Sequence, residues 1–324
     1  MGNSKRAAVI FYPGRVDRRK LQAAIQQTTM PLGWEPTLWL KTTEHETGGV
    51  QVQRALAQKA THLLVAGGDG TVREVLDALA HIGTPASKKV TVGIIPIGTG
   101  NVLARNLRLD LNDLKGAVQR GLLGNRHPLD LGLARIIFAD GKRAEMHFAV
   151  MAGVGLDAKI MENTNEKLKR AIGWVAYLDG GLKALPTLFE RMDVSVDGRE
   201  TRTLKLVSLL IGNAGWLPGN ISLMPDARLD DGLLDVAAVD PRRFWNWIDF
   251  WGRVTWGNRV LRPNRMGRQL MDATANVKTL ENLSGAKIRV TPERAVHMQL
   301  DGDSLGLIAE VEFEVQPRAV TVRV

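Results

Sequence analysis

Two short glycine-rich segments hold the residue types best suited to chemistry. Gly67-Gly68-Asp69-Gly70-Thr71 follows the apolar run 62–66, and Pro96-Ile97-Gly98-Thr99-Gly100-Asn101 follows the next such run. Glycines at a strand end let backbone N–H groups converge, and a following helix N-terminus adds partial positive charge, so both places suit a phosphate. A carboxylate there repels an anion unless Mg²⁺ or a hydroxyl partner uses it, so Asp69 points to a nucleotide together with a metal. Plainer readings stand beside these. Thr71 and Glu74 have capping-box spacing, and Thr99 or Asn101 can cap the next helix. Neither segment has the Gly-Lys-Ser/Thr of a Walker loop or the G-x-G-x-x-G of a dinucleotide fold.

More carboxylates lie far along the chain, in Asp301-Gly302-Asp303 and around Asp230, Asp231 and Asp235. From spacing alone, Asp301-Gly302 reads as a hairpin turn like Asp140-Gly141 and Asp197-Gly198, and the acids near 231 as a solvated turn. There is no cysteine, which excludes disulfides, thiolate metal sites and thiol nucleophiles. The six histidines show no H-x-H or H-x-x-x-H spacing, so the sequence makes no case for a histidine metal site.

These residues need elements to position them. Residues 6–12, 35–41, 62–66 and 90–97 read as strands, and amphipathic helices are expected near 17–28, 49–60 and 71–80. Such alternation predicts a parallel, doubly wound α/β sheet that binds nucleotide at its strand ends. Beyond about residue 126, alternating runs and Asp-Gly turns predict an antiparallel β-sandwich. Two helical insertions interrupt it, one through Leu168, Ile172, Val175, Leu178, Leu182 and Leu185, the other through Phe244, Trp247, Ile248, Trp251 and Val254. The expected division is 1–126 and 127–317, with 318–324 able to rejoin the first domain. A length of 324 residues suits two domains.

The net charge of +9 attracts anions, whether nucleotides, nucleic acid or acidic lipid. Residues 241–268 carry seven arginines against one acid, together with four tryptophans and two phenylalanines. That composition suits a helix lying in the headgroup layer of an anionic membrane, although a packing helix shares its periodicity and a nucleic-acid surface its composition. The membrane reading is preferred and no nucleic-acid partner is expected. No apolar stretch reaches the ~20 residues of a membrane span, so membrane contact is expected to be peripheral. The short run after Arg6 reads as a first strand rather than a signal peptide, and Arg6 breaks the myristoylation pattern. A cytoplasmic protein visiting the inner membrane face is the expectation. Nothing in the sequence selects an oligomeric state.

With G-G-D-G-T at 67–71 followed by P-I-G-T-G-N at 96–101, the chain resembles the lipid kinase family that contains bacterial diacylglycerol kinases and sphingosine kinases. The first motif is shared with NAD kinases and, loosely, phosphofructokinases. Gly153-Val154-Gly155-Leu156-Asp157-Ala158, the stretch from Pro225 to Asp235 and Leu300-Asp301-Gly302-Asp303 extend the resemblance over essentially the whole chain. It implies an ATP-binding α/β domain, a β-sandwich and an active site between them. It further implies that Gly67, Gly68, Asp69, Gly70, Thr71, Gly98, Thr99 and Asn101 hold ATP, with Thr43 a weaker match. Asp69 would help hold catalytic Mg²⁺, and Asp301 and Asp303 fall where the family's general base lies. Asp231, with the carbonyls of Arg228 and Leu233, would form a structural Mg²⁺ site. The chain departs from the family pattern at Tyr12-Pro13-Gly14-Arg15, at Val102 in place of an Asp, and at Asp303 in place of a Glu. The implied activity is ATP- and Mg²⁺-dependent phosphorylation of a membrane lipid alcohol, with diacylglycerol giving phosphatidic acid as the leading case. The alternatives are a non-catalytic nucleotide or lipid sensor and an NAD kinase, the latter leaving D-D-G-x-L and the Trp/Arg segment unexplained.

Overall fold

The computed structural model describes residues 5–43, 45–84, 87–155, 190–206, 208–218, 221–239 and 283–324. The two expected helical insertions, the Trp/Arg segment 241–268 and Leu156-Asp157-Ala158 lie outside them.

Continuous apolar runs build the first sheet. Strands β1 (Arg6–Phe11), β2 (Glu35–Lys41), β3 (His62–Gly67) and β4 (Thr91–Pro96) pair in parallel in the order β2-β1-β3-β4. Helices α1 (Arg18–Thr29), α2 (Gly49–Ala57), α3 (Asp69–Ile82), α4 (Val102–Asn106) and α5 (Leu114–Leu123) complete this half. Side chains alternate across the sheet. Ala7, Val9 and Phe11 join Leu21, Ile25, Val118 and Leu122 of α1 and α5, whereas Ala8 and Ile10 join Val52, Val75 and Leu76 of α2 and α3. Covering both faces is why these strands read as unbroken apolar runs rather than alternating ones.

Helix α5 is absent from the sequence expectation, because its buried face is made of Ala117, Val118, Gly121 and Leu122, whose small members weaken the apolar period. Those same small residues allow it to dock. A Cβ added to Gly93 of β4 would lie 2.3 Å from the Cα of Gly121, so backbone meets backbone there. Asp113 caps the helix, its Oδ1 accepting from Gly116 N at 2.8 Å.

The second half consists of β5 (Arg126–Phe138), β6 (Arg143–Phe148), β7 (Met151–Val154), β8 (Glu190–Val196), β9 (Arg202–Leu206), β10 (Ser208–Gly212), β11 (Trp216–Leu217), β12 (Ile221–Ser222), β13 (Leu234–Val239), β14 (Ser284–Gly285), β15 (Lys287–Pro292), β16 (Val296–Leu300) and β17 (Asp303–Arg323). The three Asp-Gly pairs do join hairpins, β5 to β6, β8 to β9 and β16 to β17. In two of them both residues are left-handed, Asp197 and Gly198 at φ 51° and 68°, Asp301 and Gly302 at φ 48° and 95°, the conformation that matches a hairpin's twist. The sandwich core is a single cluster. Ala152, Val154, Leu209, Ile211, Met298 and Leu300 from one layer meet Ile136, Val194, Ile288, Val290, Val311 and Phe313 from the other.

The two halves share one hydrogen-bonded sheet. β17 leaves the Asp301-Gly302 turn, pairs with β16, β15 and β5 inside the sandwich, and ends parallel to β4, with Val322 opposite Val92 and Arg323 opposite Gly93. Its register breaks between Gln316 and Val320, where Arg318 has φ 51°. No helix among the described residues is long and apolar enough to cross a membrane.

Candidate active site

Because β3 and β4 are parallel neighbours, both glycine segments leave the same sheet edge. Ile97 N donates to Gly67 O at 3.2 Å, and a Cβ on Gly98 would lie 2.7 Å from the Cα of Gly68, so the loops touch through glycine backbone. Helix α3 starts at Asp69, two residues earlier than its apolar period suggests. The cap is Gly68, so Thr71 is not an N-cap and the capping-box reading fails. Thr71 instead packs over Gly67, and Glu74 accepts from Arg73 Nη2 at 2.7 Å. The first bond of the helix runs from Val72 N to Gly68 O, which leaves the N–H groups of Gly70 and Thr71 outside the helical ladder.

The second loop closes on itself. Asn101, at φ 46° and ψ 47°, accepts from Gly98 N at 2.9 Å and donates to Gly98 O at 2.6 Å, leaving Thr99 exposed at the tip. Asn101 therefore shapes the loop without capping α4 through its side chain. That cap comes from the other loop, since Asp69 Oδ1 accepts from Val102 N at 2.6 Å. Burial raises the Asp69 carboxyl above its ordinary pKa, opposed by the N–H groups of Val102, Asn101 and Leu103. Asp69 thus has protein donors of its own, and its place in an anion-binding loop does not by itself require a cation.

The carboxylates of the second half reach this edge. Asp301 accepts from Ala149 N at 2.8 Å and from Val150 N and Met151 N, both at 2.9 Å, which clamps the turn between β6 and β7. Burial pushes its pKa up to about 6 against those three N–H groups and Arg73. Replacing Asp301 with Asn puts an amide N–H where an acceptor is needed, at about 1–3 kcal/mol. Chemical denaturation of Asp301→Asn should show that loss, and unchanged stability would remove the clamp role.

Asp303 sits two residues on, half exposed, with Oδ2 accepting from Arg73 Nε at 3.2 Å and Nη2 at 3.0 Å. Its Oδ2 is 3.6 Å from where a Gly70 Cβ would stand, so the carboxylate lies over the first turn of α3. No residue near Arg73 in the sequence marks it as a site residue. Its side chain is 6% exposed, and its Nη1 is a buried donor with no partner among the described residues. Burial disfavours its charge, but Glu74, Asp303 and Asp301 outweigh that and raise its pKa. Asp69, Arg73, Val102 and Leu103 from the first half and Ala149, Val150, Met151, Asp301 and Gly302 from the second line one cavity of about 30 Å³.

These residues fit a polyphosphate. Free N–H groups at a helix start, a buried guanidinium nitrogen without a partner and glycines that permit close approach are what such an anion needs. Asp69, Asp301 and Asp303 are oxygen donors of the kind Mg²⁺ takes beside phosphates.

The other expected site residues lie apart. Thr43 is exposed beyond β2, at the far side of the same sheet edge, where its Oγ1 accepts from Glu46 N at 3.0 Å. Tyr12 covers Gly14 in the first loop. Arg228, Asp231 and Leu233 belong to a turn of the second half. Asp231 Oδ1 accepts from Leu233 N at 3.1 Å, while buried Asp130 fixes the turn, its backbone N–H donating to Leu229 O and its Oδ2 accepting from Gly232 N. Asp130 also accepts from Arg318 N at 2.6 Å, tying the turn to the irregular step in β17. Burial, then Asp231 and Asp226, push Asp235 up to about 6, a concentration of negative charge that a cation would relieve.

Comparison with known proteins adds two family matches. Residues 8–134 match the diacylglycerol kinase catalytic domain, and residues 150–324 match the YegS C-terminal NAD kinase beta sandwich-like domain. A diacylglycerol kinase of Bacillus subtilis is 28% identical over 94% of this chain and 91% of its own length. A diacylglycerol kinase of Staphylococcus carnosus is 30% identical over 72% of each chain. A solved structure of a diacylglycerol kinase from Bacillus anthracis superposes with a TM-score of 0.71 at 22% identity, covering 98% of this chain and 96% of the other, which places the fold.

Proposed function

This chain belongs to the lipid kinase family that carries a diacylglycerol kinase catalytic domain, whose members are phosphotransferases, and from that premise we propose that it moves the γ-phosphoryl group of ATP to the hydroxyl of diacylglycerol. The observation that carries this reading is the convergence of Asp303, Arg73 and the open first turn of α3 at one edge of the β3–β4 sheet.

Phosphoryl transfer asks little covalent chemistry of a protein; it asks for alignment, charge compensation and a proton acceptor. In this reading the N–H groups of Gly70 and Thr71 and the free Nη1 of Arg73 hold the phosphates, and Thr99 with the Gly98 backbone borders the nucleotide. The lipid hydroxyl approaches Asp303, whose Oδ1 is free of Arg73 and accepts the proton. Asp301 contacts neither reactant strongly in this scheme and fixes the turn that presents Asp303. Mg²⁺ bound beside Asp69 would neutralise phosphate charge, and Arg228, Asp231 and Leu233 would hold a second, structural ion. Residues 1–126 serve nucleotide, 127–317 serve lipid, and 318–324 return to the first sheet. The arginines and tryptophans of 241–268 support peripheral contact with an anionic membrane at its cytoplasmic face.

The test is transfer of labelled γ-phosphate, with Mg²⁺, to separate diacylglycerol, sphingosine, phosphatidylglycerol, polyprenol and NAD samples. Labelled phosphatidic acid is expected, and it should disappear without Mg²⁺. Label on another lipid would replace the substrate, label on NAD would overturn the lipid reading, and ATP binding without transfer to any acceptor would favour a sensor.

A further inference from the structure

One polar cluster lies outside this site and joins the same two halves. Asp77 and His81 are one turn apart on α3, and His147 faces them from β6. His147 N, His147 Nδ1 and His81 Nδ1 approach a single oxygen, Asp77 Oδ1, at 2.6, 2.9 and 3.1 Å. The two imidazoles meet edge to face, with ring centres 4.7 Å apart. One potential ligand atom from each of the three residues can be chosen so that all lie within 4.8 Å of one another.

We propose that Asp77, His81 and His147 form a binding site for one zinc-like divalent cation that ties α3 to β6. Two imidazoles and one carboxylate favour zinc over magnesium or calcium, which prefer oxygen alone. Neighbouring ligand atoms around tetrahedral zinc are about 3.3 Å apart. The two ring-nitrogen contacts to Asp77 Oδ1 need to open by only a few tenths of an ångström to admit an ion, and His81 Nδ1, which also lies 3.1 Å from the Asp77 carbonyl oxygen, would turn its lone pair to the ion. His147 is buried and rigidly placed, while His81 is exposed, so an ion can enter from solvent and keep water as a fourth ligand. Sequence spacing concealed the site because its second histidine comes from a distant strand rather than from the same helix.

The position gives the ion a purpose. Asp77 lies one turn beyond Arg73, which holds Asp303, and His147 lies two residues before Ala149, which holds Asp301. An ion here would fix both supports of the carboxylate turn from behind without touching a reactant.

The experiment strips the full-length chain with EDTA and dialyses it against limiting zinc in excess Mg²⁺, which occupies oxygen-only sites. Bound zinc is counted by atomic absorption, and the thermal midpoint is measured with and without it. One zinc per chain and a raised midpoint are expected. His81→Ala, at an exposed position, should weaken binding at least about 100-fold and abolish the midpoint shift, and Asp77→Asn should do the same. Failure of the natural chain to retain zinc, or equal retention by both variants, would overturn the site.

Discussion

Replacing Asp303 with Asn should lower kcat by roughly 10²–10⁴-fold, the usual contribution of a positioned base, while leaving the folded state nearly as stable. The carboxylate is half exposed and, among the described residues, bonded through Oδ2 alone, so an amide can keep an oxygen toward Arg73 while losing basicity. The KM for ATP should change little, because Asp303 in this scheme meets the acceptor hydroxyl rather than the phosphates. Steady-state kinetics on dispersed diacylglycerol, beside a denaturation curve, measures turnover and stability together. Full turnover in Asp303→Asn, with an acidic limb of the pH–rate profile near 6, would transfer the base to Asp301, whose pKa burial sets at about 6.

Arg73→Met should cost about 10²–10³-fold in kcat, comparable to the loss of one preorganised donor to a developing anion. Its Nη1 is a buried donor with no partner among the described residues, while Nε and Nη2 are held by Asp303 and Glu74. Methionine fills much of the volume but removes the charge and the fork. Lysine restores the charge without two-point geometry, so Arg73→Lys should recover only part of the activity. A purely structural Arg73 would show lowered stability in Arg73→Met with kcat unchanged, and that outcome would remove it from phosphate binding.

The sequence was informative where local chemistry decides structure. Glycine after an apolar strand has few uses, so both loops were legible, and each Asp-Gly pair fixes a turn without help from distant residues. Legibility ended where a partner lies far along the chain. The sequence cannot show that Asp69 Oδ1 accepts from Val102 N, because that donor lies in the neighbouring loop, 33 residues on. Arg73 meets Asp303 only across 230 residues of chain, a separation that no local pattern marks. Asp130 gave no signal at all, yet it joins Leu229, Gly232 and Arg318. Helix α5 was hidden by the glycine that lets it dock.

The path of β17 has a consequence for how the protein is made. Chains emerge from the ribosome N-terminus first, and domains generally begin folding in that order. Here β4, already paired with β3, receives its second partner among the described residues only when Val322 and Arg323 arrive, so the β4 edge of the first sheet stays unpaired while the rest of the protein is synthesised. Exposed strand edges invite pairing with other chains, which makes the nascent first half the vulnerable stage of biogenesis. Completion of the first sheet and arrival of the Asp303 strand are then a single late event, so a partly made chain carries no assembled candidate site.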